Sequence, residues 1–580
     1  MEPLEIVKQY HEQTKHEFNH YARSLGYLDW ANQPDPFRRY EGAPLVKLPL
    51  LSLEDDPLSP PYDLIYQRDT IAPQPLNLHS LSRFFEYALS ITAWKEYGGN
   101  KWALRSNPSS GNLHPTEGYL FIGQSAEVPF ESGLYHYAPK EHGLEHRLAC
   151  SEESIQRLLN PFPSRTFLVG LSSIHWREAW KYGERAFRYC QHDIGHAIGT
   201  LRIAAATLGW HMIILSGMDD PTVGALLGLN RLHEFEQTEM EFPELIAAVL
   251  TTHDFSFASL PLTLDQDAVE SCARGTWQGK ANRVSRDNPI PWEIIDEVTK
   301  ASWKHSAESR TVPFYHSPPI GGRGEGEGGA IQPEDRADKN ESSVVSAGQI
   351  IHQRRSAVAL DGKTSIPAIR FFTMLERVFP HAHLPACQRS MPWDSIPWDP
   401  TIHLALFVHR VDGLLPGIYL LLRRSDPELK EHFQKSMHEQ FVWKTPEGCP
   451  GGLPLYLLED GNAQNLATQV SCGQEIGGQS AFSLGMISEF DSALETHGPW
   501  FYRRLFWESG LIGQVLYLEA EAAGVRSTGI GCFFDDPVHR VLGFYPSTQF
   551  QSLYHFTVGG PVEDHRLTTL PPYGDHVRAR

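Results

Sequence analysis

The chain has 580 residues, 41% hydrophobic and 21% charged, an ordinary globular balance on a length that one hydrophobic core does not serve, so at least two domains are expected. Fifty Lys and Arg against seventy Asp and Glu leave a net charge of −20, which argues against a nucleic-acid partner while leaving local basic clusters able to hold a small anion. The cysteines at 150, 190, 272, 387, 449, 472 and 532 are scattered, without a Cys-x-x-Cys, and fit neither a disulfide framework nor a zinc site, so no metal is expected.

Residues 1–60 open with polar helical character, without a basic, apolar leader, and then turn rich in Pro and aromatics. With no apolar run near the ~20 residues that span a bilayer, the expectation is a cytoplasmic protein without a membrane partner. A first folded unit is expected over 61–260, with strands at YLFIG, TFLVGLSS and IAAVLTT. A connecting segment covers 261–346, and its centre, SPPIGGRGEGEGGAIQPEDRADKNESS, has the composition of a flexible linker. A second unit follows over 347–570, with strands at HLALFV, SAFSLGMI and YHFTVGG, and a tail over 571–580. Helices interleaved with short apolar strands predict an α+β fold in each unit.

The two units match each other in order. Phe84-Phe85 pairs with Phe371-Phe372, Pro115-Thr116 with Pro400-Thr401, and Gly133-Leu134-Tyr135 with Gly417-Ile418-Tyr419. GHAIGTLRIAAATLGW, stopped at Gly209, resembles GLIGQVLYLEAEAAGV, stopped at Gly524. Each is followed by Asp-Asp-Pro (219–221 and 535–537) and a helix stop at Gly228 or Gly543. Five matches in one order read as a tandem duplication.

Four stretches carry chemistry. Arg105, Pro108, Ser109, Ser110, Gly111 and Asn112 form a tight turn ahead of a strand, with hydroxyls and an amide for a polar ring edge. Arg354, Arg355 and Ser356 offer two guanidinium forks and a hydroxyl to a phosphate. Gly529 and Gly531 allow backbone N–H groups to approach a planar ligand. Lys181 and Tyr182 are neighbours that could manage a proton. His192 and His196 have i, i+4 spacing but no evident third ligand, and are read as packing or surface residues.

Taken together these motifs resemble the nitroreductase superfamily, and more narrowly its SagB/ThcOx-type azoline dehydrogenases, over roughly 60–260 and 349–566. The resemblance implies two tandem FMN-dependent nitroreductase-like domains forming an intramolecular pseudo-dimer, with Lys181 and Tyr182 as the catalytic pair and Arg566 as a further phosphate ligand. Matched across the units, Pro108–Asn112 fall on Trp393–Pro397, and Arg354–Ser356 fall on Gln67–Asp69. Each unit has therefore lost the half that the other keeps. One FMN per chain is expected in a hybrid site, beside one derelict pseudo-site. The implied activity is oxidation of a small molecule or a peptide-derived heterocycle such as an azoline. The alternatives are an NAD(P)H-dependent nitro- or quinone reductase, or a non-catalytic flavin-binding scaffold in a biosynthetic complex. Association beyond the pseudo-dimer stays open.

Overall fold

A computed structural model of the chain describes residues 1–51, 59–125, 127–287, 290–307 and 345–574. The centre of the expected linker, 317–343, lies outside them. Two antiparallel sheets organise the rest. In the first, the strands run Gly143–Ala149, Gly133–Ala138, Thr116–Ile122, Phe167–Ser173, Phe242–Leu250, His211–Ile214 across the sheet. In the second they run Leu455–Asp460, Gly417–Leu421, Ile402–Val408, Phe482–Ser488, Gln551–Gly559, Arg526–Ile530. The spatial order is the same in both, and all six strands expected from apolar runs fall on these sheets. Thr116–Ile122 and Ile402–Val408 are buried along their whole length, as central strands covered on both faces must be.

Two 22-residue helices, Ala186–Thr207 and Phe501–Ala522, lie between the sheets. Every residue of the first is buried, including Arg188, Asp193 and Arg202, which find polar partners inside. They cross at Gly195 and Gly510. A Cβ on Gly195 would collide with the Trp507 carbonyl, and one on Gly510 with the His192 carbonyl, so only glycine lets these backbones touch. The Asp-Asp-Pro sequences open the helices Asp220–Leu227 and Asp535–Leu542, which end on left-handed Gly228 and Gly543.

Three segments at the expected boundaries make contacts of their own. Residues 261–307 are not a plain connector: Thr276–Trp277 extends the first sheet beside Leu148 and Ala149, and the helix Gln266–Ala273 packs against it. The N-terminal extension reaches across to the second unit. His11 bonds the Tyr502 hydroxyl (3.1 Å) and the Gln551 amide oxygen (3.2 Å), and Lys15 bonds Asp536 (2.9 Å). The chain end crosses the other way, because Thr568–Leu570 pairs with Trp94–Glu96 of the first unit. Among the described residues no helix is long and apolar enough to cross a membrane.

Candidate functional site

The strand Asn100–Arg105 runs into a loop in which Gly111, Asn112 and His114 all have positive φ (57°, 60° and 51°). Two of the three carry a Cβ, so the loop is strained and must be held from outside. The His114 N–H donates to Ser109 Oγ (2.8 Å), Asn112 Nδ2 to the Ala103 carbonyl (2.6 Å), and the Ser110 N–H to Asp193 Oδ1 (3.1 Å). The last bond fixes the loop to the long helix Ala186–Thr207.

Behind the loop stands the helix His175–Tyr182. A Cβ on Gly111 would lie 2.7 Å from the Tyr182 hydroxyl and 3.0 Å from Lys181 Nζ. Gly111 thus suits its positive φ, and a side chain there would push the Lys181 and Tyr182 tips aside. Glu178, three residues before Lys181 on the same helix face, lies buried with Oε1 3.5 Å from Ser109 Oγ. Burial, then the charge of Asp193, hold the Glu178 carboxyl well above the usual range, and burial pushes Asp193 up to about 7. Glu178 Oε2 and Asp193 Oδ2 have no hydrogen-bond partner among the described residues. Burial, then Glu178, also raise the Tyr182 phenol.

From the second unit, Arg354–Val358 run beside the strand Arg526–Ile530, with the Ala357 N–H donating to the Ser527 carbonyl (2.9 Å). Tyr517, on the long helix Phe501–Ala522, ties this end together. Its hydroxyl lies 3.0 Å from Ser356 Oγ and accepts the Gly529 N–H at 3.0 Å. The Arg354 guanidinium donates to the Arg105 carbonyl (2.9 Å), joining the two units at the site. Cations are crowded here. Burial, then Arg354, hold Arg355 at about 10, and burial, then Arg355, lower Lys95. Burial and neighbouring like charge both disfavour the Arg355 cation, and an anion in the cavity would relieve them.

These two sets of residues face one cavity of about 350 Å³, within the ~300–1,000 Å³ usual for ligand pockets. Arg105, Pro108, Ser109, Ser110, Gly111 and Asn112 line it from the first unit, and Arg354, Arg355, Ser356 and Gly529 from the second. Lys181 and Tyr182 stand behind Gly111 and do not line the wall. Two expected members are not brought in. Gly531 packs on the Tyr189 ring, and its carbonyl accepts from Arg185 (3.2 Å). The Arg566 side chain is 73% exposed, with both ends of its fork on Asp564 at 2.8 Å, so the neighbouring acid rather than the cavity takes its charge.

Sequence reasoning missed Glu178, Asp193, Tyr517 and Tyr554. It also set His196 aside, yet that imidazole lines the cavity and lies 3.2 Å from the Tyr554 hydroxyl. The one signal available was the Asp inside His192-Asp193-x-x-His196, the only acid in the 22-residue helix.

A second cavity, of about 140 Å³, is lined by Gln67, Arg68, Asp69, Arg202, His211, His253 and Asp394 among others, and includes positions that the sequence match pairs with the first. Arg202 occupies the helix position matching Tyr517, and its guanidinium grips Asp394 through two bonds of 2.9 and 2.7 Å.

A model of the nitroreductase family matches residues 72–238. A Methanocaldococcus jannaschii protein, provisionally assigned as a nitroreductase, is 23% identical over 160 residues, which is 27% of this chain and 76% of that protein. A crystal structure from Anabaena variabilis, likewise provisionally assigned as a nitroreductase, superposes with a TM-score of 0.63 at 22% identity, covering 96% of this chain and 99% of that one. The chain therefore carries a nitroreductase-family domain over residues 72–238, within a mixed α/β, nitroreductase-like fold that extends over nearly its whole length.

Proposed function

We propose that this chain is an FMN-dependent oxidoreductase, with one complete cofactor site built jointly by two tandem nitroreductase-like units that pair as an intramolecular pseudo-dimer. The observation that carries the reading is the cavity itself, where a polar, strained loop from residues 105–114 faces an under-neutralised cation cluster from 354–358. Duplication is supported by the identical strand order, the two equal long helices, and their crossing at glycines placed alike in each unit. The residues present fit the cofactor. Arg354, Arg355 and Ser356 suit its phosphate, and the Ser109–Asn112 loop suits the polar edge of its ring.

When bound, FMN would supply a two-electron carrier that accepts a hydride from a substrate, or delivers one to it. The chain's own contribution is orientation and proton management. Tyr517 fixes the phosphate end by bonding Ser356 and Gly529 together. Asp193 fixes the ring end through Ser110. Glu178 and Asp193, both with raised proton affinity, can hold a proton beneath the loop, and Lys181 and Tyr182 can pass one at its back. The resemblance to azoline dehydrogenases makes a heterocycle in a small molecule or peptide the proposed substrate.

The test is flavin per chain, measured after denaturing the purified protein. About one FMN is expected. Arg355→Ala should weaken binding roughly 10- to 100-fold, the ~1.5–3 kcal/mol of a charge-assisted bond, and Ser109→Ala with Ser110→Ala should weaken it as well. Two flavins per chain would refute the hybrid site, and none, even with excess FMN, would refute the enzyme. Lys181→Ala and Tyr182→Phe should retain flavin and lose turnover; full turnover in both would remove them from the mechanism.

A further inference from the structure

The second cavity holds more than a disused copy of the first. Asp69 sits where the other unit has Ser356. His211 and Arg526 each follow the glycine that stops a long helix, by two residues, and each opens the next strand. His211 pairs with Leu250 as Arg526 pairs with Gly559, and His253 lies three residues beyond Leu250 as Val562 lies three beyond Gly559. Where one half has Ser356, Arg526 and Val562, the other half thus carries a carboxylate and two imidazoles.

We infer that Asp69, His211 and His253 form a binding site for a divalent first-row transition metal, with zinc as the reference ion. One oxygen, Asp69 Oδ1, lies 3.3 Å from His211 Nε2 and 3.8 Å from His253 Nδ1. Ligand atoms around a tetrahedral zinc stand about 3.3–3.6 Å apart, given bonds of ~2.0–2.2 Å. The three atoms are close enough together to share one ion. His253 also has the outer partner of a metal ligand, whereas His211 Nδ1 has none among the described residues. His253 Nε2 donates to the Gly209 carbonyl (2.7 Å), which turns the Nδ1 lone pair towards Asp69. Two electron-pair donors then face each other, an arrangement that a cation between them resolves. Asp69 Oδ2 is steadied by Arg68 at 3.5 Å.

Nearby positive charge does not forbid the ion. Arg202 is neutralised by Asp394, and Arg389 is bonded to the Trp398 carbonyl and to Asp399. With three protein ligands beside a cavity, a fourth position stays open to water or a small ligand. The inference does not rest on the flavin reading.

His16, Cys472 and Cys532 form a second cluster that could also hold zinc, so the experiment must separate the two. The full chain carrying Cys472→Ser and Cys532→Ser is stripped with a chelator and titrated with Zn²⁺ by calorimetry. One equivalent is expected to bind. Asp69→Asn and His253→Gln, whose side chains are 53% and 27% exposed and tolerate substitution, should each weaken it beyond the roughly 10- to 100-fold of an outer-shell change. Co²⁺ in the same site should give d–d bands without a thiolate charge-transfer band. No Zn²⁺ bound in the serine background, or affinity unchanged by Asp69→Asn and His253→Gln, overturns the site. A shift of the His253 ring resonances with pH that Zn²⁺ leaves untouched would show a simple ion pair instead, and would overturn it equally.

Discussion

Asp193 links the loop to the core and carries the clearest pH signature. Its folded pKa is raised, so the folded chain holds a proton that the unfolded chain releases at lower pH. The stabilisation is present below the unfolded value of about 4 and is lost as pH rises through about 7. Glu178 shifts in the same direction and adds to the slope. Flavin-free protein should therefore lose stability over this window, by an amount on the order of a few kcal/mol. Asp193→Asn should flatten the profile, as read by Tm against pH, and superimposable profiles would contradict the assignment. The Pro108–Asn112 loop was legible in the sequence because its residues are contiguous and obey turn chemistry. Asp193, Glu178, Tyr517 and Tyr554 were not, because each lies on a helix or strand remote in sequence from the loop it meets. Arg566 misled for the converse reason, since an arginine after the last strand fits by position whatever its neighbours are, and Asp564 two residues before it took the charge.

At the scale of elements, the paired long helices decide whether the cavity exists at all. Asp193 and His196 hang from one and Tyr517 from the other, so the site's width follows from their closest approach at Gly195 and Gly510. Gly195→Val would set a branched side chain against the Trp507 backbone. The expected cost is about 1–3 kcal/mol, or more because the obstacle is main chain and cannot repack. Urea denaturation measures it, and flavin retention should fall with it. Wild-type stability in this variant would show that the helices have slack. Strands and helices were readable from periodicity, and the paired Gly stops gave their ends. The crossing was not readable, since glycine inside a helix looks like a weakness until the partner backbone is seen against it.

At the scale of the whole molecule, the termini exchange sides: residues 3–13 brace the second unit while 568–573 complete a sheet of the first. Trp94 Nε1 donates to the Pro572 carbonyl (2.8 Å) and the Tyr573 hydroxyl to the Pro139 carbonyl (2.7 Å), so these C-terminal residues pin the strand Ile91–Tyr97, which pairs with the strand that leads into the loop. Glu563, Asp564 and Leu567 line the cavity just before this segment. A chain ending at 567 should keep its helices, by far-UV circular dichroism, and bind FMN more weakly, by flavin fluorescence. Unchanged affinity would reduce the C-terminal strand to a cover. The exchange was invisible to a linear division of the sequence, because a three-residue strand carries too little pattern to announce a partner more than four hundred residues away.

Because both cavities are built from unlike residues of one polypeptide, they are free of a constraint that binds identical subunits. In a twofold-symmetric dimer each substitution appears in both pockets, and an improvement to one is imposed on the other. Here a change at Arg202 alters only the smaller cavity, and a change at Tyr517 only the larger. Each can be tuned, emptied or given a different ligand without the other following, so the chain has two independently adjustable chambers around a single pair of crossed helices.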